Sequence, residues 1–382
     1  MASKNLQHLF SFPDDIAYLN TASFSPAFKS VEEAGVKAVQ RKSRPDFYNN
    51  SDLFLPVEDL RKLFAKVIDA EDYMSVATIP SVSYGMANVA NNITLNKGDE
   101  IIMVEEQFPS NVYTWRTLAE TYDARIITIK QPDIIENWST NILNAITENT
   151  AVVAIPQIHW ANGIVFDLKS IRAKTKAHDA LLIIDGSQSV GAMPFSVKDI
   201  QPDALICAGY KWLFGPYGCA YAYYSDYFNT GKPIEENWIT RLDSENLAGL
   251  TKYQNEYKPL AQRFNAGESA SFIYVKMQIA ALNEILKIDP VKLQNYCHDI
   301  AKDALQQLNN LGFKSDPSQF RAKHLFGLKI PKTVNIDHLK QALKAHHIIV
   351  SYRGDYLRIS CHMYNTKDHF ETLVRVINSV VN

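Results

Sequence analysis

Short runs of consecutive apolar residues, rather than alternating ones, recur through the first part of the chain. Residues 181–184 and 204–207 form two such runs. Strands that are apolar at every position are typical of a parallel sheet covered on both faces. The same reasoning predicts further strands at 74–77, 101–104, 125–129, 151–156 and 219–224. With helices between them, the pattern indicates right-handed β-α-β units and an α/β fold.

Helical spacing of apolar residues appears between these strands and becomes dominant in the C-terminal part. In 366–381, for example, Phe370, Leu373, Val374 and Ile377 lie on one helical face. One helix is predicted to begin at about residue 31, and another, after the turn at 80–85, is predicted to end at about residue 93. Further helices are predicted at 57–68, 168–178, 271–286, 291–311 and 366–381. Strands are predicted at 325–330 and 348–352.

The change from apolar strand runs to helical spacing predicts where the chain divides into domains. Residues 225–261 are polar and irregular, which is typical of a connection. We expect a large domain over 31–262 and a smaller C-terminal α+β domain over 263–382. The N-terminal segment, 1–30, is expected to pack with the small domain. A length of 382 residues is sufficient for two domains.

Composition excludes several classes of protein. A formal net charge of −2 gives no attraction to nucleic acid or to an anionic membrane. No apolar run approaches the roughly 18 residues that a membrane helix needs, and residues 1–8 lack the apolar core of a signal peptide. The four cysteines are scattered, without a Cys-x-x-Cys pair. We therefore expect a cytoplasmic protein without a metal site.

The two central apolar runs end in residues that carry chemistry. Asp185 follows the first run directly, and Lys211 comes four residues after the second. Ligands of parallel sheets bind beyond the carboxyl ends of the strands, so both side chains are expected at one site. Pyridoxal phosphate needs this pair, because its aldehyde forms a Schiff base with a lysine and its ring nitrogen needs an acidic partner. Either residue alone would be a weak signal.

The residues around this pair carry a family resemblance. Asp185-Gly186-Ser187-Gln188, followed by Gly209-Tyr210-Lys211-Trp212-Leu213 and Gly215-Pro216-Tyr217-Gly218, resembles the class V aminotransferase group of fold-type I pyridoxal-phosphate enzymes. That group includes cysteine desulfurases, kynureninase and isopenicillin-N epimerase-like proteins. The resemblance extends from about Tyr18 to the C-terminus. It implies a mostly parallel, seven-stranded sheet between helices, a smaller C-terminal α+β domain, and a homodimer with a shared active site.

The resemblance also assigns roles around pyridoxal 5′-phosphate. Lys211 would form the Schiff base, and Asp185 would hold the protonated ring nitrogen. Gln188 maps onto the residue that binds the ring hydroxyl, and Tyr210 onto one that donates to the phosphate. Phe108, in Phe108-Pro109-Ser110-Asn111, would stack on the ring.

Several positions depart from the family pattern. Ser81-Val82-Ser83 stands where the family has Gly-Thr-Thr, so Ser83 would bind the phosphate through its hydroxyl and Val82 through its amide alone. A strand, a turn of small hydroxyl residues and a helix start form an anion site on physical grounds too. Ala208 replaces a phosphate-binding serine.

Two further segments supply candidate cofactor contacts. Gln157 stands where the family often has a histidine, and His159 and Trp160 are expected to line the site. The segment Arg263 to Ser269 resembles one whose end reaches the partner subunit's cofactor phosphate, with Gly267 and Ser269 as candidates.

The substrate side of the site is implied by the C-terminal motif. Arg358-Ile359-Ser360, followed by Tyr364-Asn365-Thr366, resembles the family's Arg-x-Ser-x-x-x-Tyr-Asn-Thr. Arg358 would bind the amino-acid carboxylate, because a guanidinium offers two parallel donors. Arg353 is a possible second anion contact. Asn20 and Ala22, in the opening that resembles Tyr-Leu-(Asn/Asp)-x-Ala, are the other substrate candidates.

These residues predict a class V aminotransferase acting on an amino acid or a related amine. An epimerase or lyase of the same family is the first alternative, and an idle binding protein with this fold is another. A desulfurase using a loop persulfide is not expected, because 348–357 contains no cysteine. A nicotinamide enzyme is not expected either, because no Gly-x-Gly-x-x-Gly follows an early strand.

Overall fold

A seven-stranded sheet forms the centre of the computed structural model, which describes residues 5–13 and 15–381. Its strand order is β2-β8-β7-β6-β5-β3-β4, and only β8 runs antiparallel to its neighbours. This topology confirms the predicted α/β class with a mostly parallel sheet. The strands of the chain are β1 Ala17–Tyr18, β2 Val76–Ile79, β3 Glu100–Val104, β4 Arg125–Ile129, β5 Thr150–Pro156, β6 Leu181–Asp185, β7 Ala204–Ala208, β8 Ala220–Tyr224, β9 Lys314–Ser315, β10 Leu325–Lys329, β11 Ile348–Ile349, β12 Ser351–Arg353 and β13 Tyr356–Ser360.

The unbroken apolar runs arise because the sheet is covered on both faces. In β6, Leu182 and Ile184 pack into one apolar core, whereas Ile183 packs into another core on the opposite face. All three side chains are fully buried. Successive strand residues point to opposite faces, so each position meets a core and none can be polar without loss of burial energy.

Helices cover these faces and build the C-terminal part. None of the helices within 5–13 and 15–381 is long and apolar enough to cross a membrane. Helices α4, α5, α7 and α10 have no counterpart in the sequence prediction, and α10 is capped by Asn335, whose side chain accepts from two amides of the first turn. The helices are α1 Lys29–Lys42, α2 Leu55–Val67, α3 Val82–Ala90, α4 Tyr113–Tyr122, α5 Asn137–Ala145, α6 Leu168–Ala177, α7 Val197–Ile200, α8 Tyr274–Ile285, α9 Pro290–Asn310, α10 Ile336–Ala345 and α11 Lys367–Val381.

The C-terminal part contains a four-stranded antiparallel sheet of order β12-β13-β10-β9. The strand predicted at 348–352 is two strands, because β11 pairs in parallel with β1 whereas β12 pairs with β13. Through β1, the N-terminal segment joins this part of the chain. The amide of Leu19, for example, donates to the carbonyl of Ile349 at 2.8 Å.

Helix α8 belongs to the core of the large unit, although the change to helical spacing predicts it in the small domain. It packs against α1 and α2. Its residues Val275 and Leu282 share an apolar core with Leu60 and Phe64 of α2. The amphipathicity of the helix is visible in the sequence, but its packing partner is not.

Candidate active site

A cavity of about 190 Å³ lies beyond the carboxyl ends of the central parallel strands. This is where open α/β sheets bind ligands. The ends of β6 and β7, the loops after β3 and β5, and the start of α3 form its wall. Most of the predicted cofactor residues line it: Val82, Ser83, Phe108, Trp160, Asp185, Gln188, Tyr210 and Lys211.

Lys211 presents an unpaired amine to this cavity. It follows β7 and is only 7% exposed. Its Nζ lies 5.3 Å from the ring centroid of Phe108 and 5.7 Å from that of Tyr210. Among the residues that the structure describes, no oxygen accepts a hydrogen bond from this nitrogen. The amine is therefore free to react with a ligand.

Electrostatics favour the reactive form of this amine. Burial is the main cause that lowers the pKa of Lys211 to about 8; the charge of Asp185 opposes this shift, and the positive charges of Arg358 and Arg353 contribute to it. A neutral amine is the nucleophilic form. The neutral fraction of Lys211 near neutral pH is therefore larger than that of an ordinary lysine, although the protonated form still predominates.

Asp185 offers a carboxylate oxygen to the same cavity. It ends β6 and is 7% exposed. Its Oδ1 accepts a hydrogen bond from the amide of Ser187 at 2.9 Å, and no ion pair to another described residue neutralises it. The next residue, Gly186, has no room for a side chain, because a Cβ there would lie 2.7 Å from Sγ of Cys207. The turn thus holds the carboxylate ready for a cationic group.

Gln188 is held in place by two hydrogen bonds. Its Nε2 donates to the carbonyl of Ala22 at 3.1 Å, and its Oε1 accepts from the indole of Trp212 at 2.9 Å. Since a carboxamide nitrogen has two N–H groups, one remains for a ligand. Ala22, a predicted substrate contact, instead supports Gln188 through its carbonyl and is not among the residues that line the cavity.

The start of α3 forms an anion-binding end of the cavity. Ser81 caps the helix by accepting from the amide of Tyr84 at 3.1 Å, and its hydroxyl lies 3.0 Å from that of Ser83. The amides of Val82 and Ser83 belong to the first turn, where no intrahelical acceptor exists. Together with the helix dipole, they suit a phosphate.

Phe108 and Trp160 form an aromatic wall. Their rings meet edge to face at 5.3 Å between centroids. The indole of Trp160 donates to the carbonyl of Glu106 at 2.7 Å. Its N–H is therefore used, so Trp160 lines the cavity with its ring and has no donor left for a cofactor hydroxyl.

His159 does not reach the cavity. Its ring is fully buried, with Nδ1 3.0 Å from Oδ1 of Asn162 and Nε2 3.2 Å from the carbonyl of Glu105. Burial lowers the pKa of His159 to about 4. The prediction that it lines the site is corrected, because its ring joins the loop after β5, through Asn162, to the loop after β3, through Glu105.

Gly267 and Ser269 also lie outside the cavity of their own chain. The amide of Gly267 donates to Oε1 of Glu235 at 2.9 Å, and Ser269 lines a separate, smaller pocket. Their predicted contact with a partner subunit's cofactor stays a prediction.

Arg358 lies beside the cavity, on β13. It is 1% exposed, and its guanidinium donates to Oγ of Ser351, the carbonyl of Trp160 and Oγ of Ser23 at 3.0, 3.0 and 2.7 Å. Burial, helped by the charge of Arg353, lowers the pKa of Arg358 to about 9. No carboxylate of a described residue pairs with it. This buried cation is therefore suited to bind a carboxylate of the substrate.

The N-terminal segment reaches β13, where Asn20 forms a bridge with Ser360 and Ser23 binds Arg358. The side-chain oxygen of Asn20 is buried without a hydrogen-bond partner among the described residues. Sequence reasoning missed Ser23, which binds Arg358, and gave no role to Ser187, whose Oγ accepts from the amide of Ala208 at 3.1 Å. Ser187 stands inside the Asp-Gly-Ser-Gln motif, which was the available signal, whereas nothing local singled out Ser23.

The chain belongs to the class-V aminotransferase family, whose model matches residues 43–376. This confirms the family resemblance and, with it, pyridoxal phosphate as the cofactor. Among curated proteins, the chain is similar to an uncharacterised aminotransferase, YcbU, of Bacillus subtilis. The two are 27% identical over 312 residues, which cover 81% of this chain and 80% of that protein.

Solved structures support the fold. The apo cysteine desulfurase of Thermococcus onnurineus superposes with a TM-score of 0.86 at 20% identity, covering 100% of this chain and 99% of that chain. A C-DES variant with glycine covalently linked to its PLP cofactor superposes with a TM-score of 0.84 at 17% identity, covering 97% and 99%. At these identities the likeness concerns the fold and leaves the reaction open.

Proposed function

We propose that this protein is a pyridoxal-phosphate-dependent aminotransferase that acts on an amino acid. The observation that carries the proposal is the unpaired, buried amine of Lys211 in one cavity with the carboxylate of Asp185. Family membership supports the same class of chemistry.

The residues of the cavity fit the cofactor. The start of α3, with Val82 and Ser83, would hold its phosphate, and Asp185 would hold its ring nitrogen. Phe108 would cover the ring, and Lys211 would hold the aldehyde carbon covalently. When bound, pyridoxal phosphate withdraws electrons from the substrate Cα, which makes the bonds of that carbon easier to break.

Residues of the site would have separate roles in this chemistry. Asp185 keeps a proton on the ring nitrogen, because a buried carboxylate stabilises a neighbouring cation. Phe108 and Trp160 exclude water from one side of the cavity. Lys211 would remove a proton from the substrate Cα. Arg358 binds the α-carboxylate and so fixes which Cα bond is broken.

The substitution Asp185→Asn tests this assignment without altering the turn. The carboxamide oxygen that it introduces can still accept from the amide of Ser187, so we expect the fold and cofactor binding to persist. Without the carboxylate, the ring nitrogen loses its proton, and kcat should fall by about 100-fold or more. Steady-state kinetics with matched cofactor content measure this, and a kcat within a few-fold of the wild type would exclude the role.

The chain's cysteines do not support a persulfide reaction of the desulfurase type. Cys361, which follows Arg358 on the chain, is fully buried. Cys219 lines the cavity, but burial raises the pKa of Cys219 to about 12. A persulfide-forming nucleophile needs an accessible thiolate, which neither provides.

The reaction itself is tested by titrating the holoenzyme with a panel of amino acids. A transaminase converts its cofactor to the amine form and releases one equivalent of 2-oxo acid. Spectral change without 2-oxo acid, with inversion of the amino acid or loss of its side chain, would replace the aminotransferase by an epimerase or a lyase. A bound cofactor that no amine alters would indicate an idle binding protein.

We also propose that the active protein is a homodimer in which the segment with Gly267 and Ser269 reaches the partner's cofactor phosphate. These residues lie outside the cavity of their own chain, although they match the family segment that serves this purpose. Light scattering after size exclusion should give the mass of two chains. A fully active monomer would contradict the shared site.

A further inference from the structure

Two guanidinium groups converge beside the cavity. Arg358 and Arg353 both bind Ser23, with Nη2 of each lying 2.7 and 3.4 Å from its Oγ. Both also lie over the ring of Trp160, at 5.8 and 5.2 Å from its centroid. The two Nη2 atoms therefore lie within about 6 Å of each other. Trp160 joins this pair to the cavity wall.

The guanidinium groups of Arg358 and Arg353 have several N–H groups that no protein acceptor in the described part of the chain binds. A guanidinium has five N–H groups. Arg358 uses three of them, on Ser351, Trp160 and Ser23. Arg353 uses two, on Ser23 and the carbonyl of Tyr352, and its Nε is buried without a partner among the described residues.

The protein also leaves their charge uncompensated. Every acceptor of the two groups is a hydroxyl or a carbonyl, and within 5–13 and 15–381 no carboxylate forms an ion pair with either arginine. Asp185, the carboxylate of the cavity, is assigned to the cofactor ring. Arg358 is buried and Arg353 is half-buried. Two like charges held this close repel each other, and an anion that binds between them removes that repulsion.

A single α-carboxylate does not account for both arginines. It needs two parallel donors, which Arg358 alone can supply. Arg353 would then keep its charge and its unpaired Nε. Across the sheet, Ser351 pairs with Arg358 and Tyr356 with Arg353, so the two side chains leave the sheet from adjacent strands at different positions. One carboxylate would balance one of the two charges, whereas two carboxylates would balance both.

We propose that the substrate of this site carries a second carboxylate, bound by Arg353 while Arg358 binds the α-carboxylate. The substrate class is an acidic amino acid, with the corresponding 2-oxo dicarboxylic acid as its partner in amino transfer. This inference rests on the proposed function for its chemistry, but the recognition of two carboxylates is independent of it.

Binding without catalysis tests the recognition directly. Calorimetry of the purified protein compares glutarate with glutaramate, which replaces one carboxylate by a neutral amide of the same shape. We expect glutarate to bind about tenfold more tightly or better, the effect of one charge-assisted contact. Arg353→Gln should abolish this preference and leave glutaramate binding unchanged, whereas Arg353→Lys should keep part of it. Equal binding of the two ligands by the wild type, or a preference that survives in Arg353→Gln, would overturn the inference.

Kinetics separate this inference from the proposed function. With holoenzyme, kcat/KM for glutamate or aspartate should exceed that for glutamine or asparagine, and Arg353→Gln should lower the former much more than the latter. If neutral amino acids react as well as acidic ones and Arg353→Gln changes neither, the dicarboxylate inference is wrong although the aminotransferase stands. If no amino acid changes the cofactor but glutarate preference holds, the aminotransferase is wrong and the recognition stands.

Discussion

Lys211→Ala should lose the visible absorbance of the lysine-bound cofactor and reduce amino transfer by a factor on the order of 10⁴ or more, as removal of a covalent catalyst does. The amine is the one group in the proposed site that both holds the cofactor and moves the substrate proton. Alanine removes both functions together. Absorption spectra and single-turnover assays at saturating cofactor measure the loss.

The fold should tolerate this change. The amine of Lys211 donates no hydrogen bond to a described residue, so its removal leaves no protein acceptor unpaired. Thermal unfolding of the apoprotein should therefore be close to that of the wild type. Lys252→Ala, at an exposed loop position, is the matched control and should retain full activity. A Lys211→Ala spectrum identical to that of the wild type would contradict the assignment.

Arg358→Ala should raise KM for amino acids by about 100-fold, because truncating one partner of a buried charge pair costs about 2–5 kcal/mol. Simple amines lack the carboxylate, so their KM should change little. Arg358 itself binds only neutral protein oxygens, and its removal leaves no buried carboxylate unpaired. The loss should therefore appear in substrate binding more than in stability.

A second variant separates charge from geometry. Arg358→Lys keeps a positive charge but loses the paired donors, so it should recover only part of the affinity. An equal rise of KM for amino acids and for simple amines would show that Arg358 does not bind the carboxylate.

The centre of the site could be predicted from the sequence because its signals are local. The apolar runs of β6 and β7 required burial on both faces, and the residues that follow them, Asp185 and Lys211, had to emerge at one edge of the sheet. The turn before α3 combined a capping serine with a helix start, which predicts an anion site at any such junction.

Other features depend on contacts that no local pattern encodes. Ser23 meets Arg358 across 335 residues of sequence, so only the folded chain shows that the two are neighbours. His159 and Trp160 are adjacent, yet the ring of His159 is buried between two loops, where it contacts Asn162 and Glu105, and the ring of Trp160 faces the cavity. The packing of α8 likewise depends on α1 and α2, which lie far from it in the sequence.

The most direct test of the account is to locate the cofactor's covalent attachment. Reduction of the purified holoenzyme with borohydride, followed by peptide mass mapping, identifies the lysine that carries the phosphopyridoxyl group. We expect modification of the peptide containing Lys211, and of no other, with one group per chain. Modification of a different lysine, or an unmodified protein after incubation with pyridoxal phosphate, would contradict it.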